Sequence, residues 1–93
     1  MFKIRVKSQF KKDLKKALSD KKRNIPLLKE LIDTHLSITG MVPDEYFPHS
    51  LKGNWRPCYE CHVQPDFLLI WDVDYESNEI ILVRCGSHSE LFG

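Results

Sequence analysis

The apolar residues of this chain change their spacing at about Gly40, and that change limits what it can fold into. Before it, Phe10, Leu14, Ala17 and Leu18 recur at helical intervals. So do Leu28, Leu31, Ile32 and Leu36, with Pro26 in the first turn of the second run. Ser8 stands where a helix N-cap would, residues 20–24 read as a basic turn, and Gly40 closes the second helix. Ahead of both, Phe2, Ile4 and Val6 alternate with Lys3, Arg5 and Lys7, as in a half-buried strand. After residue 40 the pattern belongs to strands. Residues 41–53, with two prolines, read as a loop. Trp55, Tyr59, Cys61 and Val63 then alternate with Arg56, Cys58, Glu60, His62 and Gln64, and two nearly all-apolar runs follow at 67–73 and 80–83. Pro65-Asp66 and residues 74–79 supply the turns. The expected order is β-α-α-β-β-β: one α+β domain over residues 1–93, its sheet rich in antiparallel pairs and its two N-terminal helices on one face. Ninety-three residues suffice for one modest core.

The net charge of +1 conceals an asymmetry. Up to His35 eleven Lys or Arg face four Asp or Glu, a net of +7; from Leu36 onward three face nine, a net of −6. A basic half points to a polyanion, nucleic acid above all, although a solvated helix surface has the same composition. The N-terminus carries charge where a signal peptide is apolar, and no apolar run is long enough for a bilayer. A cytoplasmic protein without a membrane partner is expected.

Several residues of the second half suit metal-free RNA cleavage. That reaction needs a base for the 2′-hydroxyl, an acid for the departing 5′-oxygen and a cation opposite the charged transition state. Histidine titrates near working pH, and arginine matches phosphate geometry. His62 shares a strand face with Glu60 and Gln64, Asp66 follows in the turn, and Arg84 ends the last strand. His88 comes next, and Phe92 falls on its side if the tail makes one helical turn, where it could stack on a base. Taken alone, a histidine in a small protein is more often a surface or core residue, and a terminal Phe more often a core plug.

Two metal readings compete. Cys58-Tyr59-Glu60-Cys61-His62 spells a haem-attachment string, and Cys58, Cys61, Cys85 and His88 make a passable zinc set. The haem string is short, with no sign of export to a compartment where haem is attached and no axial ligand placed. In the zinc set Cys58 and Cys61, three apart on a strand, point to opposite faces. Reduced thiols, no metal and no cofactor are expected. A basic module that binds RNA or the ribosome without chemistry is the non-enzymatic alternative.

Three stretches, FPHSLKGNW (47–55), ECHVQPDFLLIW (60–71) and RCGSHSELFG (84–93), together with their separations, resemble the YafQ branch of the RelE superfamily of toxins. The likeness is close from Phe47 onward; earlier, only the helix pattern and the Phe10–Asp13 element agree. It implies a RelE-like fold and an mRNA interferase that cuts the codon in the ribosomal A site, held in check by a DinJ-like antitoxin. It places catalytic groups at His49, His62, Asp66, Arg84 and His88, a base-stacking ring at Phe92 and an acidic neighbour at Glu60. Roles expected on this footing are His88 as general acid and Arg84 as phosphate clamp, with Asp66, or a histidine it orients, as base. Ser50 replaces the Pro that commonly follows the first His, a change that loosens the loop holding His49. The basic face (Lys11, Lys12, Lys15, Lys16, Lys21, Lys22 and Arg23) is expected to meet ribosomal RNA phosphates.

Overall fold

In the computed structural model, which describes residues 1–93, the alternating stretch at the start becomes β1 (Lys3–Val6). Helix α1 (Ser8–Leu18) follows directly. Lys7, not Ser8, takes its cap position, and no side chain caps the helix. Asn24 caps the next helix by accepting from the Leu27 N–H at 3.1 Å, with Pro26 in its first turn. This helix, α2, runs from Ile25–Glu30 through a π segment, Leu31–Leu36, to Ser37–Thr39 and stops at Gly40. Gly40 has φ 77°, and a Cβ there would press on the Phe2 ring at 3.3 Å. Its carbonyl accepts the Trp71 indole N–H at 3.2 Å, satisfying the one polar group of a fully buried ring.

The expected loop contains a two-residue strand, β2 (His49–Ser50). Trp55 lies in a short 3-10 turn (Gly53–Trp55) and not on a strand, because Pro57 has no N–H to give a ladder. The remaining strands are β3 (Tyr59–Gln64), β4 (Phe67–Asp74) and β5 (Glu79–Gly86), and a last helical turn, α3, spans His88–Phe92. The sheet order is β1-β5-β4-β3-β2, with β1 parallel to β5 and every other pair antiparallel. The domain is α+β, as the periodicity implies, with two additions: β2 and α3.

Strand alternation gives the sheet two unlike faces. Cys61, Val63, Leu69, Trp71, Leu82 and Cys85 point to the helices and pack with Phe10, Ala17, Leu28, Leu31 and Leu36. Each fully buried Leu contributes about 1.5–3 kcal/mol on leaving water. On the other face a smaller group, Cys58, Leu68, Ile70 and Leu91, lies beneath α3 and the 51–55 segment. The functional side chains gather on this second face. No helix is long and apolar enough to cross a membrane.

Candidate active site

Because Cys61 and Val63 face the helices, Glu60 and His62 face the other way. Strand β2 sets His49 opposite Glu60, and His49 Nε2 lies 3.2 Å from Glu60 Oε1. The other nitrogen, Nδ1, is 3.1 Å from the Phe47 carbonyl. Both ring nitrogens thus face oxygen, and the ring can donate both ways only as an imidazolium. Glu60 is nearly sealed from solvent; its Oε1 is also 3.9 Å from His62 Nε2, and its Oε2 has no partner.

The second half of the site is built from the β3–β4 turn and α3. Gly86, at φ 151°, turns the chain out of β5, where a Cβ would stand 3.0 Å from Glu90 Oε1. Ser87 and Glu90 then form a reciprocal capping box that starts α3 and fixes His88 in its first turn. Asp66 Oδ1 accepts from the His88 backbone N–H at 3.0 Å and from its ring Nδ1 at 2.9 Å. These two bonds, the backbone one foremost, hold the Asp66 carboxyl below the usual range. The His88 and His62 rings meet edge-on at 5.6 Å, and His62 lies 6.4 Å from the His49 ring. Phe47 approaches His62 at 6.0 Å, Phe92 lies 6.5 Å from His88, and Trp55 meets Phe92 at 5.3 Å. A band of imidazoles bounded by aromatic rings results, with Asp66 and Glu60 beside it.

The turn carrying Asp66 is fastened to the helical side. Arg23 Nη1 donates to the Asp66 carbonyl at 2.7 Å, and the guanidinium lies 5.0 Å from the centre of the Phe67 ring. Gln64 Oε1 accepts the Asn24 N–H at 2.8 Å, while its Nε2 donates to the Lys22 carbonyl at 3.0 Å. Glu90 binds Lys16 Nζ at 2.6 Å and lies 3.7 Å from Arg23 Nη2. Lys16 above all, with the Ser87 N–H, pulls the Glu90 carboxyl down to about 2.

Residues 2–93 match the family model described as bacterial toxin of type II toxin–antitoxin system, YafQ. The chain belongs to the YafQ toxin family. It is 31% identical over 90 residues to the mRNA interferase toxin YafQ of Escherichia coli K12, covering 97% of this chain and 95% of that protein. A copper-bound point mutant of a Helicobacter pylori toxin is 39% identical, with a TM-score of 0.88 over 99% of this chain and all of that one. YafQ in the E. coli DinJ–YafQ complex is 30% identical, with a TM-score of 0.85 and full coverage of both chains.

Of the residues expected in a YafQ-family site, the structure brings together His49, Glu60, His62, Asp66, His88 and Phe92. Arg84 is placed elsewhere. Its Nε and Nη2 form a two-point bond to Asp13 of α1, at 2.6 and 3.1 Å, and it lines a cleft of about 440 Å³ between α1, β5 and α3. Burial alone would raise the Asp13 carboxyl, but bonds from Arg84, Gln9 and the Cys85 N–H outweigh it and hold the group low. The basic face is also altered. Lys11, Lys12, Lys15, Lys21 and Lys22 are exposed, but Lys16 is paired with Glu90 and Arg23 is turned inward, its side chain 18% exposed.

The thiols share no site: Cys61 and Cys85 lie in the helix-side core and Cys58 beneath the opposite face, which removes both the zinc and the haem arrangements. No three His, Cys, Asp or Glu side chains are set to hold a metal ion. Phe47 and Trp55, which border the site, are not among the residues singled out from the sequence. Their signal was their place in the 47–55 stretch of the resemblance.

Proposed function

We propose that this toxin enters the ribosomal A site and cuts the mRNA there by acid–base chemistry of its own side chains, acting in the cytoplasm under the control of a DinJ-like antitoxin. Membership of the family makes it an mRNA interferase, and so an endoribonuclease, of a type II toxin–antitoxin pair. The place of cutting and the division of roles are our reading. The observation that carries it is the Asp66–His88–His62 arrangement.

With Nδ1–H donating to Asp66, His88 presents Nε2 outward, and as an imidazolium it delivers that proton to the departing 5′-oxygen. His62, beside it and next to Glu60, accepts the proton of the attacking 2′-hydroxyl, while Asp66 orients His88. His49 anchors the Glu60 carboxylate from the far side. Arg84 serves the phosphate when substrate charge draws its guanidinium from Asp13, so Asp13 is both its holder and its competitor. Phe92 offers a stacking face, and Glu60, expected beside the substrate, acts on it through His49 and His62, which cover its carboxylate. The exposed lysines of α1 and the following turn supply a ribosomal RNA footprint on the side away from the catalytic face. The antitoxin reading rests on the E. coli relative solved with DinJ.

The test is to map cuts on a translated mRNA with and without ribosomes, in the presence and absence of 1,10-phenanthroline, which takes up transition metals and spares the Mg²⁺ that ribosomes need. Codon-phased cuts that need ribosomes and survive chelation are expected. Cleavage lost with this chelator would point to a metal route of the kind the copper-bound H. pylori structure raises, and ribosome-independent cutting would remove the A-site assignment.

A further inference from the structure

Arg5 of β1 and Lys7, which continues its extended backbone into the α1 cap, are two residues apart, hence on one face, and it is the catalytic face: Val6 between them packs on the helix side with Leu82. There they border a cleft of about 370 Å³ with Arg56, Trp55, Asn54 and Asp72. Its volume falls within the range of small-molecule sites, about 300–1,000 Å³. Lys7 and Arg56 are exposed and make no ion pair within 4.0 Å. Arg5 has one, to Glu79 at 3.4 Å, which is exposed enough to exchange readily for another anion. Asp72 is the only carboxylate in the lining, and its Oδ1 already accepts the Val73 N–H at 2.8 Å. The cleft therefore holds three cations against one engaged anion. Its aromatic wall, Trp55, leads to the catalytic band, since its ring meets Phe92, which in turn lies beside His88.

We propose that this cleft is a second RNA subsite, taking the unpaired nucleotide next to the scissile bond, with its base against Trp55 and its phosphate among Arg5, Lys7 and Arg56. This rests on the mRNA-cutting reading. Single-stranded RNA supplies both features of the cleft, an unstacked base for the ring and phosphate for the cations. A duplex supplies phosphate alone.

The experiment is fluorescence anisotropy of a short 2′-O-methyl RNA, which binds but has no free 2′-hydroxyl to react. Wild-type protein is compared with Lys7→Gln/Arg56→Gln and with Lys29→Gln in α2 as a remote control. The double variant is expected to bind about tenfold more weakly, with a salt slope shallower by about 1.4, while the control matches wild type. Binding should quench Trp55 fluorescence, with Trp55→Leu removing the signal, and a duplex of equal length should bind more weakly. Unchanged affinity and slope in the double variant, no binding by wild type at low salt, or equal binding of duplex would each overturn the subsite. Cleavage of translated mRNA by wild type is scored separately. Cutting without a binding defect in the double variant sinks the subsite alone, and binding through the cleft without cutting sinks the catalytic reading alone.

Discussion

Asp66 Oδ1 takes two hydrogen bonds from one residue, the backbone N–H and the ring Nδ1–H of His88. The first fixes where α3 begins relative to the β3–β4 turn, and the second fixes which ring nitrogen is left to work. One carboxylate thus sets both the position and the tautomer of the proposed acid.

Replacing His88 with Ala is expected to slow single-turnover cleavage on programmed ribosomes by about 10²–10⁴-fold while leaving co-sedimentation with ribosomes unchanged. Asp66→Asn keeps the size and the backbone acceptor but not the charge, and should lose about 10²-fold. Near wild-type cutting by the His88 variant would refute the acid assignment.

The Arg84–Asp13 pair separates two roles by their opposite responses. Arg84→Ala strands a mostly buried carboxylate, so it should lower stability by about 1–3 kcal/mol and abolish cleavage. Asp13→Asn should also lower stability but release the guanidinium, so cleavage by the folded protein is retained or raised. Equal losses of activity in the two variants would make Arg84 purely structural.

How far these arrangements were legible in the sequence depends on how local they are. Spacing alone placed β1, both helices and the three long strands, and it set Glu60 and His62 on one face. The Ser87-x-x-Glu90 capping signal for α3 is local too. Asp13 and Arg84 are 71 residues apart, and Arg23 reaches a carbonyl 43 residues away. No periodicity links such partners, so Arg84 read as a free phosphate clamp and Arg23 as one more surface cation. Strand β2, only two residues long, is held by its pairing to β3 and has no pattern of its own.

Glu90 gives the fold a specific acid sensitivity. Its carboxyl is drawn from 4.5 to about 2, chiefly by Lys16, so the ionised form stabilises the native state. That contribution is complete above about pH 4.5 and disappears as pH falls through about 2. Thermal melts should show Glu90→Gln less stable than wild type at pH 7, with the gap closing between those limits. A gap independent of pH would mean that Lys16 and Ser87 do not hold the charged form.

Arg23 is expected to act at a distance from the chemistry. Arg23→Lys keeps the charge but loses the planar group that serves the Asp66 carbonyl, the Phe67 ring and Glu90 together. Cleavage should fall about tenfold as the turn carrying Asp66 loosens, a loss within the range for misplaced catalytic groups. Amide hydrogen exchange at Asp66 and Phe67 should rise in step. Normal exchange with reduced cleavage would return Arg23 to direct RNA contact.

His49→Ala leaves Glu60 buried without its nearest partner, at an expected cost of about 1–3 kcal/mol in urea unfolding. Adding Glu60→Leu should recover most of that stability without restoring cleavage. A double variant as unstable as the single would show that His49 supports the loop by its Phe47 bond alone.

The placement of the three thiols bears on oxidative stress. Cys61 and Cys85 both pair across from Leu69, one on each flanking strand, so β4 keeps them roughly 10 Å apart, beyond the reach of a disulfide. Burial pushes both thiols up to about 12, leaving almost no thiolate for an oxidant to attack, and Cys58 is shut beneath the other face. Peroxide that disables low-pKa cysteine enzymes would leave this toxin armed.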